Sequence, residues 1–271
     1  MLTLVVAVIE FFVVVGVALA AVLLGTIDAR GFLASVAVGF AIVYGGGLSW
    51  FVIVAVFFIL GVAFTLYKYG YKKKIGGAQE KGGARNWPNI IANGGFASLV
   101  AVGNFIGPSP LLAAMFLGAI SASAADTAAT ELGLLSQSRP RLITHPSRDV
   151  PPGTSGGVSL LGFVGATFAS LIIGIMAVLL GIISSPFVLI PVCLVGGFFG
   201  ALADSLIGAA VQRRGVCVIC LKPTEAMRHC GEPTKPTGGL PLIENNVVNV
   251  FSTLAGGAAS AGLLLAISLL L

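Results

Sequence analysis

The chain has 271 residues, of which 57% are hydrophobic and only 9% charged, and its mean hydropathy is +1.04. A soluble domain carries about 25% charged residues, so this composition excludes an ordinary soluble enzyme and places the chain in a membrane. The formal net charge is +5; the location of those charges says more than their sum, and no nucleic-acid partner is expected.

Taken in chain order, apolar runs long enough to span predict eight helices, at 2–24, 31–44, 48–67, 89–104, 109–125, 158–182, 187–211 and 246–271. The first has no basic segment before it and is too long for a signal peptide, so it reads as a retained helix. The second is short, as for a tilted or re-entrant segment. Three connections are tiny: GGG at 45–47, IGPS at 106–109 and SSP at 184–186. The others alternate with them and hold all fifteen Lys and Arg: Arg30, six in 68–88, then Arg139, Arg141 and Arg148, then five in 212–245. The expectation is one all-α, polytopic transmembrane domain over 1–271, integral to the cell membrane, with the basic loops cytoplasmic and both termini outside.

The basic side also collects the unusual polar residues. RNWPNIIANGG puts Pro88 where a helix can begin and spaces Asn86, Asn89 and Asn93 for one helical face. Asp126 is expected at the end of the fifth helix, with Thr130 one turn on and Glu131 pointing well around it. PPGTSGGVS, residues 151–159, leads glycines into the sixth helix. Asp204 lies nine residues before Arg213, inside the hydrocarbon, where an acid marks a functional site. ENNVVN places Asn246 and Asn249 three apart.

A Gly/Ser/Thr loop opening a helix (Thr154, Ser155, Gly156, Gly157, Ser159) offers backbone N–H groups to a phosphate. Carboxylates bind a divalent cation, and magnesium commonly uses one or two of them with phosphate oxygens. Arg85, Arg139, Arg141 and Arg148 are available to neutralise further phosphate charge. Together these suit phosphoryl transfer to a lipid at the membrane surface. SAADTAATELG and ALADSLIGAAV echo each other in Ala-Asp-Ser/Thr, compatible with two helices meeting at one metal.

RNWPNIIANGG, ADTAATELG, GTSGGVS, ADSLIGAAVQ and ENNVVN resemble, in this order, the motifs of the integral-membrane family once labelled domain of unknown function 92. That family includes the plant phytyl-phosphate kinase of tocopherol synthesis, and it is similar to dolichol and phytol kinases and, more distantly, to membrane cytidylyltransferases. The resemblance runs from near Arg30 to the C-terminus. It implies an enzyme converting an isoprenoid monophosphate to the diphosphate with CTP or another nucleoside triphosphate. Carried over by matching position, it implies a site of Arg85, Asn93, Asp126, Glu131, Thr154, Gly156, Gly157, Ser159, Asp204, Gln212, Asn246 and Asn249. Trp-Pro-Asn at 87–89 departs from many relatives.

Within 212–245, Cys217, Cys220, His229 and Cys230 have the spacing of a Cys3His zinc site; one CxxC is equally read as reduced thiols without metal, while a disulfide is disfavoured on a reducing face. The expected roles are catalytic for Asp126, Asp204 and Arg85, magnesium-binding for Asp126, Glu131 and Asp204, and nucleotide- or phosphate-binding for the glycine loop, Asn93, Gln212, Asn246 and Asn249. The lipid is expected to enter sideways between the fourth and fifth helices, past Gly94, Gly95, Ala97, Ala113, Ala114 and Gly118. A cytidylyltransferase and an anion transporter are the competing functions, the latter short of polar residues in the outer half. Surrounding membrane lipids are partners, and monomer and homodimer are both compatible with the sequence.

Overall fold

The computed structural model describes residues 2–183 and 186–270, and helices dominate it. Among the described residues, seven helices are long and apolar enough to cross a membrane. α1 (Leu2–Leu23) is apolar on nearly every face. α2 (Ala29–Leu66) has 38 residues, about 57 Å if straight, nearly twice the hydrocarbon thickness of about 30 Å. It is not straight, because Gly47 adopts φ 70° and ψ −173°. The first limb, 29–46, runs parallel to α4 (Trp87–Ile106): Gly31 meets Ile90, Val38 meets Gly94 and Gly45 meets Ala101. The second limb returns, with Phe51 against Gly39, Gly61 against the Arg85 guanidinium and Thr65 against Gly83. Both ends of α2 therefore reach residues 83–85, and α2 is a hairpin of two crossings, each about 28 Å long. The two helices expected at 31–44 and 48–67 are its limbs, and the first is a full crossing.

The short helix α3 (Tyr69–Lys74) and a turn at Glu80–Gly83 precede α4. Then come α5 (Pro110–Gly133), α6 (Leu160–Leu179), α7 (Pro186–Ala210) and α8 (Asn245–Leu270). Their starts are chemically marked. Asn86 caps α4 by accepting from Asn89 N–H at 3.1 Å, so it precedes the helix and does not share a face with Asn89 and Asn93. Ser109 caps α5 ahead of Pro110, and Ser159 caps α6. α5 continues about two turns beyond the end expected at 125, with Ala128 and Glu131 buried. It is the central helix, packing on α2, α4, α6, α7 and α8, and Trp50 stacks on its Phe116 at 4.2 Å.

The long connections are not plain loops. β1 (Arg141–Leu142), β2 (His145–Asp149) and β3 (Gly157–Val158) form an antiparallel sheet ordered β2-β1-β3. β4 (Arg214–Val216), β5 (Pro223–Thr224) and β8 (Lys235–Gly238) form a second, ordered β5-β4-β8, and β6 (Arg228–His229) pairs with β7 (Glu232–Pro233). These sheets, residues 67–86 and the end of α1 lie on one face: Gly77 touches Leu134 and Gly153, and Arg85 exchanges backbone hydrogen bonds with Thr26 and Asp28. Among the described residues the helices make eight crossings, so α1 starts and α8 finishes on the opposite face. A cysteine introduced at Gly47 should react with an impermeant maleimide from the side opposite to one at Lys73, above the labelling of the native cysteines. A straight α2 would bury position 47 and leave it unlabelled.

Candidate active site at the loop face of the bundle

Asp126 of α5 and Asp204 of α7 lie seven and six residues inside their helix ends, about 10 Å deep at 1.5 Å per residue. Their carboxyl groups are within hydrogen-bonding reach of each other. The helices run parallel and in register. A Cβ on Gly196 would lie 2.5 Å from Gly118 Cα, and one on Gly200 would lie 2.2 Å from Ala122 Cβ. Positions 118, 122 and 126 thus face 196, 200 and 204, one turn apart each. The echo between the two Ala-Asp-Ser/Thr motifs is this register.

Asn249 of α8 and Asn93 of α4, both buried, extend the pair. With the Asn249 amide oriented to satisfy both of its ends, its nitrogen donates to Asp204 Oδ2 at 3.2 Å and its oxygen accepts from Asn93 Nδ2 at 3.1 Å. Asn93 also lines a largely apolar cavity of about 90 Å³ between α1, both limbs of α2, and α4. Arg85 and Asn89 line the same cavity. The Arg85 guanidinium sits over the rings of Phe58 and Phe57, at 5.4 and 5.9 Å, and its Nη1 is buried without a hydrogen-bond partner. Desolvation pulls its pKa down to about 10, opposed by the charge of Glu131, so it remains a cation at neutral pH.

The GTSGG loop lies on α7. Gly156, at φ 75°, touches Ala209 and the Ser205 carbonyl, and Gly208 leaves room for Ser155. Much of the loop's polar capacity is spent internally. Thr154 donates through Oγ1 to the Pro151 carbonyl at 2.7 Å, and Gly157 N–H donates to the Thr154 carbonyl. Ser159 Oγ accepts from Gly162 N–H at 3.1 Å, closing the helix start expected to face a phosphate. Ser155 Oγ instead donates to Glu225, which also accepts from Gln212 Nε2. Glu225 lies close enough for its charge to act on both Asp126 and Asp204. Burial raises its own pKa above the ordinary carboxylate value, against these two hydrogen bonds.

Three expectations are corrected. Glu131 does not join Asp126 and Asp204: five residues on, it turns away and pairs with Lys72 Nζ at 2.6 Å, with Thr65 Oγ1 donating at 3.2 Å. Arg141 pairs with Asp149 at 3.8 Å on an exposed sheet, and Arg139 and Arg148 are exposed too. The small residues of α4 and α5 do not form a groove together. Ala97, Ala113 and Ala114 are buried and Gly118 meets Gly256 and Ser260 of α8, so of that set only Gly94 lines the cavity, on the other side of α4. Asn246 is half-buried at the start of α8. On the same face, beside the site, Cys217, Cys220, His229 and Cys230 come together with their ligating atoms all within 4.8 Å, and among the described residues no other His/Cys/Asp/Glu group of three or more does so.

A family model, integral membrane protein DUF92, matches residues 12–257. The chain belongs to this family. The chain is similar to the uncharacterized membrane protein MJ0933 of Methanocaldococcus jannaschii, 33% identical over 192 residues (70% of this chain and 76% of that one). Protein PGR of Arabidopsis thaliana is 29% identical over 234 residues, covering 78% of this chain and 80% of PGR. The chloroplastic protein VTE6 of the same plant is 28% identical over 172 residues, covering 61% of this chain and half of VTE6. No solved structure matches. The matched DUF92 region contains the acidic pair and its neighbours.

Lys72 and Glu225 are expected on this face as solvated loop charges, not as buried partners of the site. Each stands in a polar stretch, YKKK and PTEAM, where a solvated charge is the ordinary outcome; the fold buries Lys72 and half-buries Glu225. Lys72 Nζ also donates to the Phe64 carbonyl at 2.6 Å and the Thr65 carbonyl at 3.3 Å. Lys72→Met should strand a buried carboxylate and cost about 3–5 kcal/mol, read as a lower unfolding temperature in detergent. The double variant Lys72→Met with Glu131→Leu should recover most of that loss. An unchanged single variant would show that the pair holds nothing together.

Proposed function

We propose that this integral membrane protein transfers a phosphoryl group from a nucleoside triphosphate, CTP by the motif resemblance, to an isoprenoid monophosphate. The observation that carries this reading is the polar path Asn93–Asn249–Asp204–Asp126, which joins the apolar cavity beside Arg85 to the acidic pair. A lipid phosphate held at Arg85 has its chain in an apolar environment and its head beside the carboxylates. The cavity, about 90 Å³, takes only the carbons nearest the phosphate and leaves the rest to the bilayer. The fifteen basic residues on this face support a cytoplasmic orientation, where nucleotides are abundant.

Two carboxyl groups in contact carry like charge that a cation relieves, so Asp126 and Asp204 fit a magnesium ion, with Glu225 adjoining. When bound, magnesium supplies charge neutralisation to the transferring phosphoryl group. Arg85 and Asn93 orient the acceptor phosphate. Its oxygen attacks the terminal phosphorus, the bond to the bridging oxygen breaks, and the nucleoside diphosphate departs. The acceptor is already an anion, so no side chain needs to take a proton. Ser155, Gln212 and Asn246 stand on the loop side, toward the nucleotide.

The test is purified protein with labelled CTP and a panel of prenyl monophosphates. CDP and a prenyl diphosphate are expected. Pyrophosphate and a CDP-lipid would make it a cytidylyltransferase, and no turnover with any nucleotide would remove the reading. Asp204→Asn should lower kcat by about a hundredfold or more while the protein stays folded. Arg85→Gln should raise KM for the lipid about tenfold and that for nucleotide much less.

A further inference from the structure

The connection 211–244 is held together by little apolar packing. Its side chains under one-tenth exposed are Gln212, Arg213, Cys217 and Thr234, while Val218, Ile219, Leu221 and Met227 are exposed. Its strands are two to four residues long. Units of this kind commonly need a cross-link or a metal. The four cysteines of the chain are unpaired thiols.

Two tight turns bring the cysteines and histidine together. In the first, Leu221 N–H donates to the Cys217 carbonyl at 3.0 Å, and the amides of Ile219 and Cys220 point at Cys217 Sγ at 3.4 and 3.5 Å. Such amides stabilise a thiolate. The second turn is His229-Cys230-Gly231, with Cys230 at φ 52°. Its His229 Nδ1 lies 3.5 Å from Cys220 Sγ and 3.2 Å from Cys230 Sγ. A tetrahedral zinc ion, with Zn–S about 2.3 Å and Zn–N about 2.0 Å, has an S···N edge of about 3.5 Å and an S···S edge of about 3.8 Å. All four ligating atoms lie within 4.8 Å of one another, a spacing that one ion closes with small movements.

We propose that Cys217, Cys220 and Cys230 through Sγ, and His229 through Nδ1, bind one structural zinc ion. The ion fixes the segment 217–230, and with it the placement of Glu225 against Ser155 and Gln212. All four coordination positions are filled by protein, so the ion has no open position for a substrate. Its role is to order the strand pairs that carry Glu225 to the mouth of the acidic pair. Arg213 assists by donating to the carbonyls of Glu225 and Ala226 at 3.2 and 2.7 Å. The zinc assignment does not depend on the reaction proposed for the acidic pair.

The experiment is metal analysis of the full-length protein purified in detergent without chelator. About one zinc per chain is expected, released by a mercurial reagent together with loss of hydrogen-exchange protection across 222–234. Cobalt in place of zinc should give the thiolate-to-metal absorption of a tetrahedral site. Cys220→Ser and Cys230→Ser should lose the metal, Cys193→Ala, in α7, should keep it, and His229→Cys should restore what His229→Ala loses. A folded wild-type protein with no zinc, and with Cys217, Cys220 and Cys230 all alkylated as free thiols or joined by a disulfide, would overturn the assignment. Zinc present with unchanged exchange at 222–234 after its release would overturn the positioning of Glu225.

Discussion

Close packing of α5 against α7 is the constraint on which the rest depends. Lipid tails are as apolar as leucine, so helices in a bilayer gain little from burying hydrophobic surface and associate through packing. Here the packing is backbone on backbone. Gly196 meets Gly118, Gly200 meets Ala122, and Gly256 of α8 meets Ala122 and the carbonyls of Gly118 and Gly196. Each contact sits one turn from the next, so both helices present the same ridge of every fourth residue. The next turn toward the loop face is Asp126 and Asp204. A register set by small residues deep in the membrane thereby decides that two acids, 78 positions apart in sequence, end in contact (204 − 126 = 78).

The same helix shows what a carboxylate looks like when its role is structural. Glu131 is almost fully buried, yet its charge is met by Lys72 and its oxygens by Lys72 and Thr65. Lys72 spends its remaining donors on carbonyls at the end of α2, which the helix leaves unpaired. The result is a closed knot joining α2, α3 and α5. Asp126 and Asp204 have no cation of this kind among the described residues: they have each other, Asn249 and the nearby Glu225. Arg85 is the mirror case, a cation with a buried donor left over. Two acids short of a cation and one base short of an anion are linked through Asn93 and Asn249, an arrangement that the phosphate and divalent ion of the proposed reaction would complete together.

Much of this was readable in the sequence, because membrane physics writes itself into composition. Apolar length gave the crossings, and the confinement of Lys and Arg to alternate connections matches the single loop face. The paired Ala-Asp motifs pointed to helices that do meet. What failed was whatever depends on which helix neighbours which. The motif resemblance groups Glu131 with Asp126, but five residues along the helix put it on another face, beside Lys72 of α3. Gly94 and Gly118 both read as groove residues, but one lines a cavity and the other lets three backbones converge. Glu225 gave no signal, since a glutamate in a Pro- and Gly-rich loop ordinarily points to water. The small sheets were equally hidden, their strands being too short for any alternation to register.

The two sides of α4 explain why the site is placed as it is. One side faces α1 and α2 and borders the cavity; the other faces α5 and α8 and leads to the acids. Asn93, on the turn between them, touches both environments. Above the acids, the connections 134–159 and 211–244 meet over the end of α7, through Gly156 on Ala209 and Ser155 on Glu225. In the proposed reaction, the amphiphile on the membrane side and the water-soluble polyanion on the loop side would therefore approach from different directions. Only their charged ends need to meet, at a depth of about 10 Å where water is scarce. Low dielectric strengthens every charge interaction there, so the enzyme proposed here gains its electrostatic leverage from the membrane and needs few groups to use it.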